Sequence, residues 1–124
     1  MIKRILLFAL VFGLVSLNAF AHTVILTWSP SSDGAANPTS GYNVLRGTAA
    51  GGESSTPINS SPVAAACTNT TTCTYTDSSS AVIAGATLYY EVTFVIGSIS
   101  SVPSNEAKAG VPVASPSGLT AIGN

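Results

Sequence analysis

From His22 onward, short runs of alternating apolar and polar residues are separated by clusters of turn formers. "HTVILTW" places Val24, Leu26 and Trp28 on one face and Thr23, Ile25 and Thr27 on the other. A period of two with β-branched residues predicts a strand buried on one side. "SPSSDGAANPTSG" is turn chemistry, carrying Pro30, Gly34, Pro38 and Gly41. "YNVLR" resumes the alternation through Tyr42, Val44 and Arg46. "TPIN" is at most a short edge strand, because Pro57 cannot donate to a ladder.

"CTYTD" puts Cys73 and Tyr75 on one face. "LYYEVTFV" is the longest strand, with Leu88, Tyr90, Val92 and Phe94 opposite Tyr89, Glu91, Thr93 and Val95. "NEAKAGV" supplies a last strand, and no segment after residue 21 has helical periodicity. Six or seven short strands with turns between them predict an all-β fold, an antiparallel sandwich.

The first 21 residues follow another pattern. Lys3 and Arg4 precede an apolar run from Ile5, and Ala19 and Ala21 have the A-x-A spacing of a signal-peptidase site. Residues 1–21 are expected to be a signal peptide cleaved before His22. The run to Leu17 is shorter than the roughly 18 to 20 residues a spanning helix needs. No Cys lies near the cleavage point to carry a lipid. A secreted protein, extracellular or periplasmic, without a stable membrane anchor after cleavage is expected.

Charge narrows the partners. The full chain has net charge −1, and after residue 21 its only basic side chains are Arg46 and Lys108. Two isolated cations cannot neutralise a phosphate backbone, so nucleic acid and anionic lipid are poor candidates.

In order and spacing, "VILTWSPS", "GYNVLRGT", "YTD", "AGATLYYEVTFV" and "SNEAKAGVP" resemble strands B, C, E, F and G of a fibronectin type III domain. The style is that of secreted bacterial proteins, and the likeness covers residues 23–112. It implies an immunoglobulin-like sandwich of about seven strands over residues 22–113, with Trp28 as the core tryptophan of strand B. Tyr42 and Tyr75 would pack beside it, and Tyr90 would also face inward. Two departures stand out. The family's tyrosine near the start of strand F falls on Leu88, so its corner bond is either absent or supplied by a neighbour. No strand A precedes strand B. The tail, residues 114–124, contains "PSGLTAI", which resembles that strand at the other end of the chain. Pro116, Leu119 and Ala121 fall where strand A would have them. The tail is expected to fill the open edge within its own molecule, ahead of donation to a neighbour. It could instead begin a second domain of a longer protein.

Candidate chemistry is sparse. Cys67 and Cys73 suit a hairpin with Thr68 opposite Thr72, close enough for a disulfide that stabilises by about 2 kcal/mol. Zinc would need closer pairs and more ligands, so a structural disulfide in an oxidising compartment is expected. His22, the N-terminal residue after cleavage, could chelate copper, but the brace that binds copper this way needs a second histidine and the chain has one. Neither a G-x-S-x-G elbow nor a distinctive carboxylate pair appears, so no enzyme, cofactor or metal site is expected. The carboxylates are expected to be solvated. Tyr89 and Leu45 point outward as a candidate surface contact, too little for a sugar platform. Asn59 and Asn69 match the glycosylation acceptor pattern and are expected to be unmodified. The leading expectation is a secreted, non-catalytic interaction or adhesion module with a protein or carbohydrate partner. Alternatives are a structural subunit that self-associates through its C-terminal strand, and a small copper protein using His22.

Overall fold

The computed structural model describes residues 21–37, 39–65, 67 and 72–123. Seven strands and one helical turn follow the chain: β1 (Val24–Trp28), α1 (Ser32–Ala36), β2 (Gly41–Gly47), β3 (Val63–Ala64), β4 (Cys73–Asp77), β5 (Thr87–Ile96), β6 (Ile99–Ser100) and β7 (Ala107–Gly110). All pairings are antiparallel. β1 and β4 form a two-stranded sheet, from Val24 opposite Asp77 to Trp28 opposite Cys73. The larger sheet has the order β3-β2-β5, and β6 and β7 both pair with β5.

The two sheets pack face to face because each strand turns its apolar alternates inward. Val44, Leu88 and Tyr90 of the larger sheet meet Val24, Leu26, Trp28 and Tyr75 of the smaller one. Cys73, Tyr42 and Phe94 continue the core toward the far end of β1. The outward alternate on β1, Ile25, is 66% exposed.

Four expectations are corrected. "TPIN" is not a strand: Ile58 N donates to the Val44 carbonyl, but the Asn59 side chain takes the place of the next ladder bonds. Its Oδ1 accepts from Val44 N at 2.7 Å, and its Nδ2 donates to the Tyr42 and Ser61 carbonyls. Strand pairing on that edge of β2 is made by Val63 and Ala64. Residues 32–36 form one helical turn, which is too short to show a period. The Ser31 hydroxyl caps it, accepting from Asp33 N. Finally, the tail does not fill its own molecule's open edge. Residues 112–123 form no strand, and Leu119 and Ile122 are 96% and 93% exposed. The fourth correction, the burial of Asp77, belongs to the site described next.

Cys67 and Cys73 are bonded, with Cα atoms 4.9 Å apart. The opposition of Thr68 and Thr72 lies outside the described residues, as do Asn69 and most of the leader. Among the described residues, no helix is long and apolar enough to cross a membrane.

Candidate functional site

The two ends of the sandwich differ in chemistry. At the end where β1 starts and β4 finishes, Asp77 is 2% exposed. This departs from the expected solvated carboxylates, and the reason lies on β2. Arg46 follows Tyr42 and Val44 on the inward face, and a cation there needs a buried counterion. Its guanidinium donates to Asp77 Oδ2 at 2.6 Å and to the Ser79 hydroxyl at 2.6 Å. The Tyr90 hydroxyl donates to the same Oδ2 at 2.9 Å, and Ser79 N donates to Oδ1. Tyr90 pairs with Arg46 across β2 and β5, so both reach from the larger sheet to a carboxylate on the smaller one.

These contacts set the protonation states. Burial pushes the Asp77 carboxyl up, but Arg46, Ser79 and Tyr90 together outweigh it and hold it below the usual carboxylate value. Burial, then the bond to Asp77, raises Tyr90 far above an ordinary phenol. Arg46 Nη1, the Tyr90 hydroxyl and Ser79 N all converge on the Asp77 carboxylate. The cluster is therefore a fastener between sheets. Leu88 is buried and carries no hydroxyl, and the Tyr90 hydroxyl bonds a side chain.

The other end is open. Trp28 and Tyr42 pack edge to face with centroids 5.5 Å apart, and Tyr42 meets Phe94 at 5.3 Å. The Tyr42 hydroxyl accepts from Ser31 N at 2.7 Å, tying down the chain that leaves β1. Gly34 is required there, since a Cβ at that position would sit 2.8 Å from this hydroxyl. Trp28 is half-buried, and its indole N–H is buried without a partner. Tyr75 is also half-buried and packs against the core.

A cleft of about 460 Å³ opens beside Trp28. It exists because the strand returning from β5 leaves the ladder between β6 and β7. Over Ser101–Glu106, serine hydroxyls substitute for part of the ladder: Phe94 N donates to Ser101 Oγ and Val92 N to Ser104 Oγ. Half-buried Val92 and buried Phe94 form the floor. Val102 and Pro103 form one wall, and Thr27 and Ser29 form the other. An apolar floor with a hydroxyl-rich rim suits an extended peptide or a sugar face.

The remaining sequence candidates lie elsewhere. Leu45 and Tyr89 are half-buried on the outer face of the larger sheet, opposite Glu91 and Gly47 respectively. Lys108 Nζ lies over the Tyr89 ring, 6.0 Å from its centroid. Nearby, desolvation raises the Glu53 carboxyl, a backbone hydrogen bond lowers it, and Glu106 and Glu91 raise it further, for a net upward shift. His22 lies at the fastened end beside Ser78–Ser80 and Ile83. Among the described residues there is no group of three or more His, Cys, Asp or Glu that could hold a metal ion.

The chain matches no family model, no curated protein and no solved structure.

Proposed function

We propose that this chain is a secreted, non-catalytic interaction module with a fibronectin type III-like fold, which engages its partner at the open end around Trp28. The observation that carries the reading is the strand order. β1 beside β4 in one sheet, and β2, β5 and β7 side by side in the other, are the pairings expected if these strands correspond to B, E, C, F and G of that family, and this supports the reading. The disulfide and the absence, among the described residues, of a membrane-crossing helix are compatible with an extracellular or periplasmic location. The non-catalytic half rests on Asp77, Arg46 and Tyr90 being locked to one another, and on the lone His22 lying at the other end from the cleft.

Two measurements test the reading. Protein recovered from a secreting host should begin at His22 and carry no free thiol by intact mass. Extended peptides and oligosaccharides should then be titrated into the isotope-labelled protein. Amide shifts concentrated at Trp28, Val92 and Ser101–Asn105 support the reading. Shifts confined to the Leu45–Tyr89 face, or chemical turnover of any panel member, refute it.

A further inference from the structure

We propose that residues 118–123 add as an antiparallel strand to the free edge of β1 on a second copy of this chain. Ile122 would lie beside Ile25, and Leu119 would lie over Trp28 at the cleft. The proposal rests on the interaction-module reading and supplies its partner: another copy of the module.

The acceptor is an unfinished sheet. Among the described residues β1 pairs with β4 alone, so the backbone groups on its other side have no strand opposite them. Such an edge is a template for strand addition. The donor is the tail, whose exposed residues have the alternation of a strand but no strand to pair with.

One antiparallel register satisfies both faces at once. With Ile122 opposite Ile25, Thr120 falls opposite Thr27 on the outer face. Ala121 and Leu119 then fall opposite Leu26 and Trp28 on the inner face. Ile25 is 66% exposed and Ile122 93% exposed, so each is an uncovered apolar group for the other to cover. Branched and threonine cross-strand pairs are the favourable ones in sheets. Leu119 would close the half-buried side of Trp28 where the cleft begins. A shift by one residue would turn Leu119 to solvent and bring Thr120 to the core side.

Chain polarity decides between a strand from the same molecule and one from another. The tail leaves β7 at Gly110, opposite Thr87, and Val111 is held there by bonds to Gly85 and Ala86. That is the end of the sandwich where β1 starts at Val24. An antiparallel strand on β1 must enter at the opposite end, beside Trp28. Within one molecule, residues 112–118 would have to run the length of the sheet, roughly 17 Å for five strand residues, and then reverse. Their full extension is only about 25 Å. A direct path would give a parallel strand, the weaker pairing. Between molecules there is no reversal, because the tail runs straight out of one sandwich into the open end of the next. The contact is head-to-tail and propagates.

The test uses the full secreted chain with its native disulfide. Ile25→Cys and Ile122→Cys are made separately and mixed in a thiol–disulfide buffer. Opposed antiparallel residues fall within disulfide reach, so a covalent heterodimer linked through positions 25 and 122 is expected. It should exceed by several-fold the product from Thr27→Cys with Ile122→Cys, which is two residues out of register. Leu119→Asp, at an exposed site that cannot unfold the domain, should abolish both the cross-link and concentration-dependent sedimentation. Equal yields from the two pairs, indifference to Leu119→Asp, or an intramolecular bond when both cysteines share one dilute chain would overturn the proposal. In the same samples, amide cross-peaks report whether β1 still pairs with β4. A folded chain with that register and no cross-link overturns strand donation and leaves the module reading standing. Loss of the register overturns the module reading itself.

Discussion

The fastened end and the open end of the sandwich are built from the same strands and solve the problem of closure differently. β1, β2, β4 and β5 all run through both. At one end Arg46, Asp77, Ser79 and Tyr90 satisfy one another across the two sheets, and the carboxylate is sealed from water. At the other, Trp28 stays half-buried beside the buried Tyr42 and Phe94, and its indole N–H is left without a partner. The contrast is between a polar lock and an apolar contact: one end is registered by directional bonds, and the other by packing of Trp28 and Cys73 on Tyr42 and Phe94. A buried ion pair is a weak source of stability but a costly thing to break, so it suits registration better than it suits stabilisation.

The largest effect should come from breaking the fastener. Arg46→Ala leaves Asp77 buried with its ionic partner gone, and removal of one member of such a pair costs about 3 to 5 kcal/mol. Tyr90 and the Ser79 amide still bond Asp77, which holds the expected loss toward the lower figure. Urea midpoints measure it. A change under about 1 kcal/mol, the value of an exposed pair, would mean that the two ends are not different in kind.

Trp28→Ala tests the open end. Truncation of a core tryptophan costs about 3 to 5 kcal/mol. Half-burial beside a cleft puts this one at about 3 or below. Because its N–H has no partner to lose, Trp28→Phe should cost only the lost area. Tyr90→Phe removes one donor to a buried carboxylate and should cost about 1.5 kcal/mol with almost no change of volume.

How far these ends were legible in the sequence follows from the range of the interactions that make them. Alternation located β1, β2, β4, β5 and β7, because the inward choice at Val24, Val44 or Leu88 is made by the residue itself. The spacing of Cys67 and Cys73 is likewise local. Asp77 could not be found that way, since its partner lies 31 residues back on the opposite sheet. The available signal was Arg46, a charge at an inward position. Asn59 imitates a strand through its side chain, which a search for backbone pattern passes over. The tail has a strand's pattern, but pattern carries no information about which end of the molecule the chain leaves from. The cleft depends on the Ser101 and Ser104 hydroxyls accepting from Phe94 N and Val92 N in place of strand carbonyls, and the strand expected over "NEAKAGV" starts only at Ala107.

Acid should separate the two kinds of charge. Asp77 has a folded carboxyl below its usual value, so its contribution is present above about pH 4 and is lost as pH falls through that lower folded value. Glu53 has the opposite sign. Its folded carboxyl holds its proton more tightly than the unfolded one, so stability gains as pH falls from above the raised value toward the ordinary one. On descent from neutral pH, the melting temperature should rise slightly and then drop. Asp77→Asn should remove the drop and spare the rise, and Glu53→Gln should do the reverse. A single monotonic fall in all three proteins would refute the assignment.

The smallest effect belongs to the outer face, which takes part in neither end. Tyr89 lies across from Gly47, which offers it no side chain, and its ring is covered on the other flank by Lys108. The ammonium lies 6.0 Å from the ring centroid, at the limit of useful attraction, and the lysine is exposed. Such a contact contributes about 0.5 kcal/mol. Lys108→Gln should therefore shift the urea midpoint by no more than that. Combined with Tyr89→Leu, which removes the π-face and keeps most of the apolar contact, it should cost less than the sum of the single changes. The shortfall in that double-mutant cycle is the cation–π term itself. If Lys108→Gln alone cost as much as Tyr90→Phe, the outer face would be a third structural fastening, and the distinction between the ends would no longer explain where this sandwich is held.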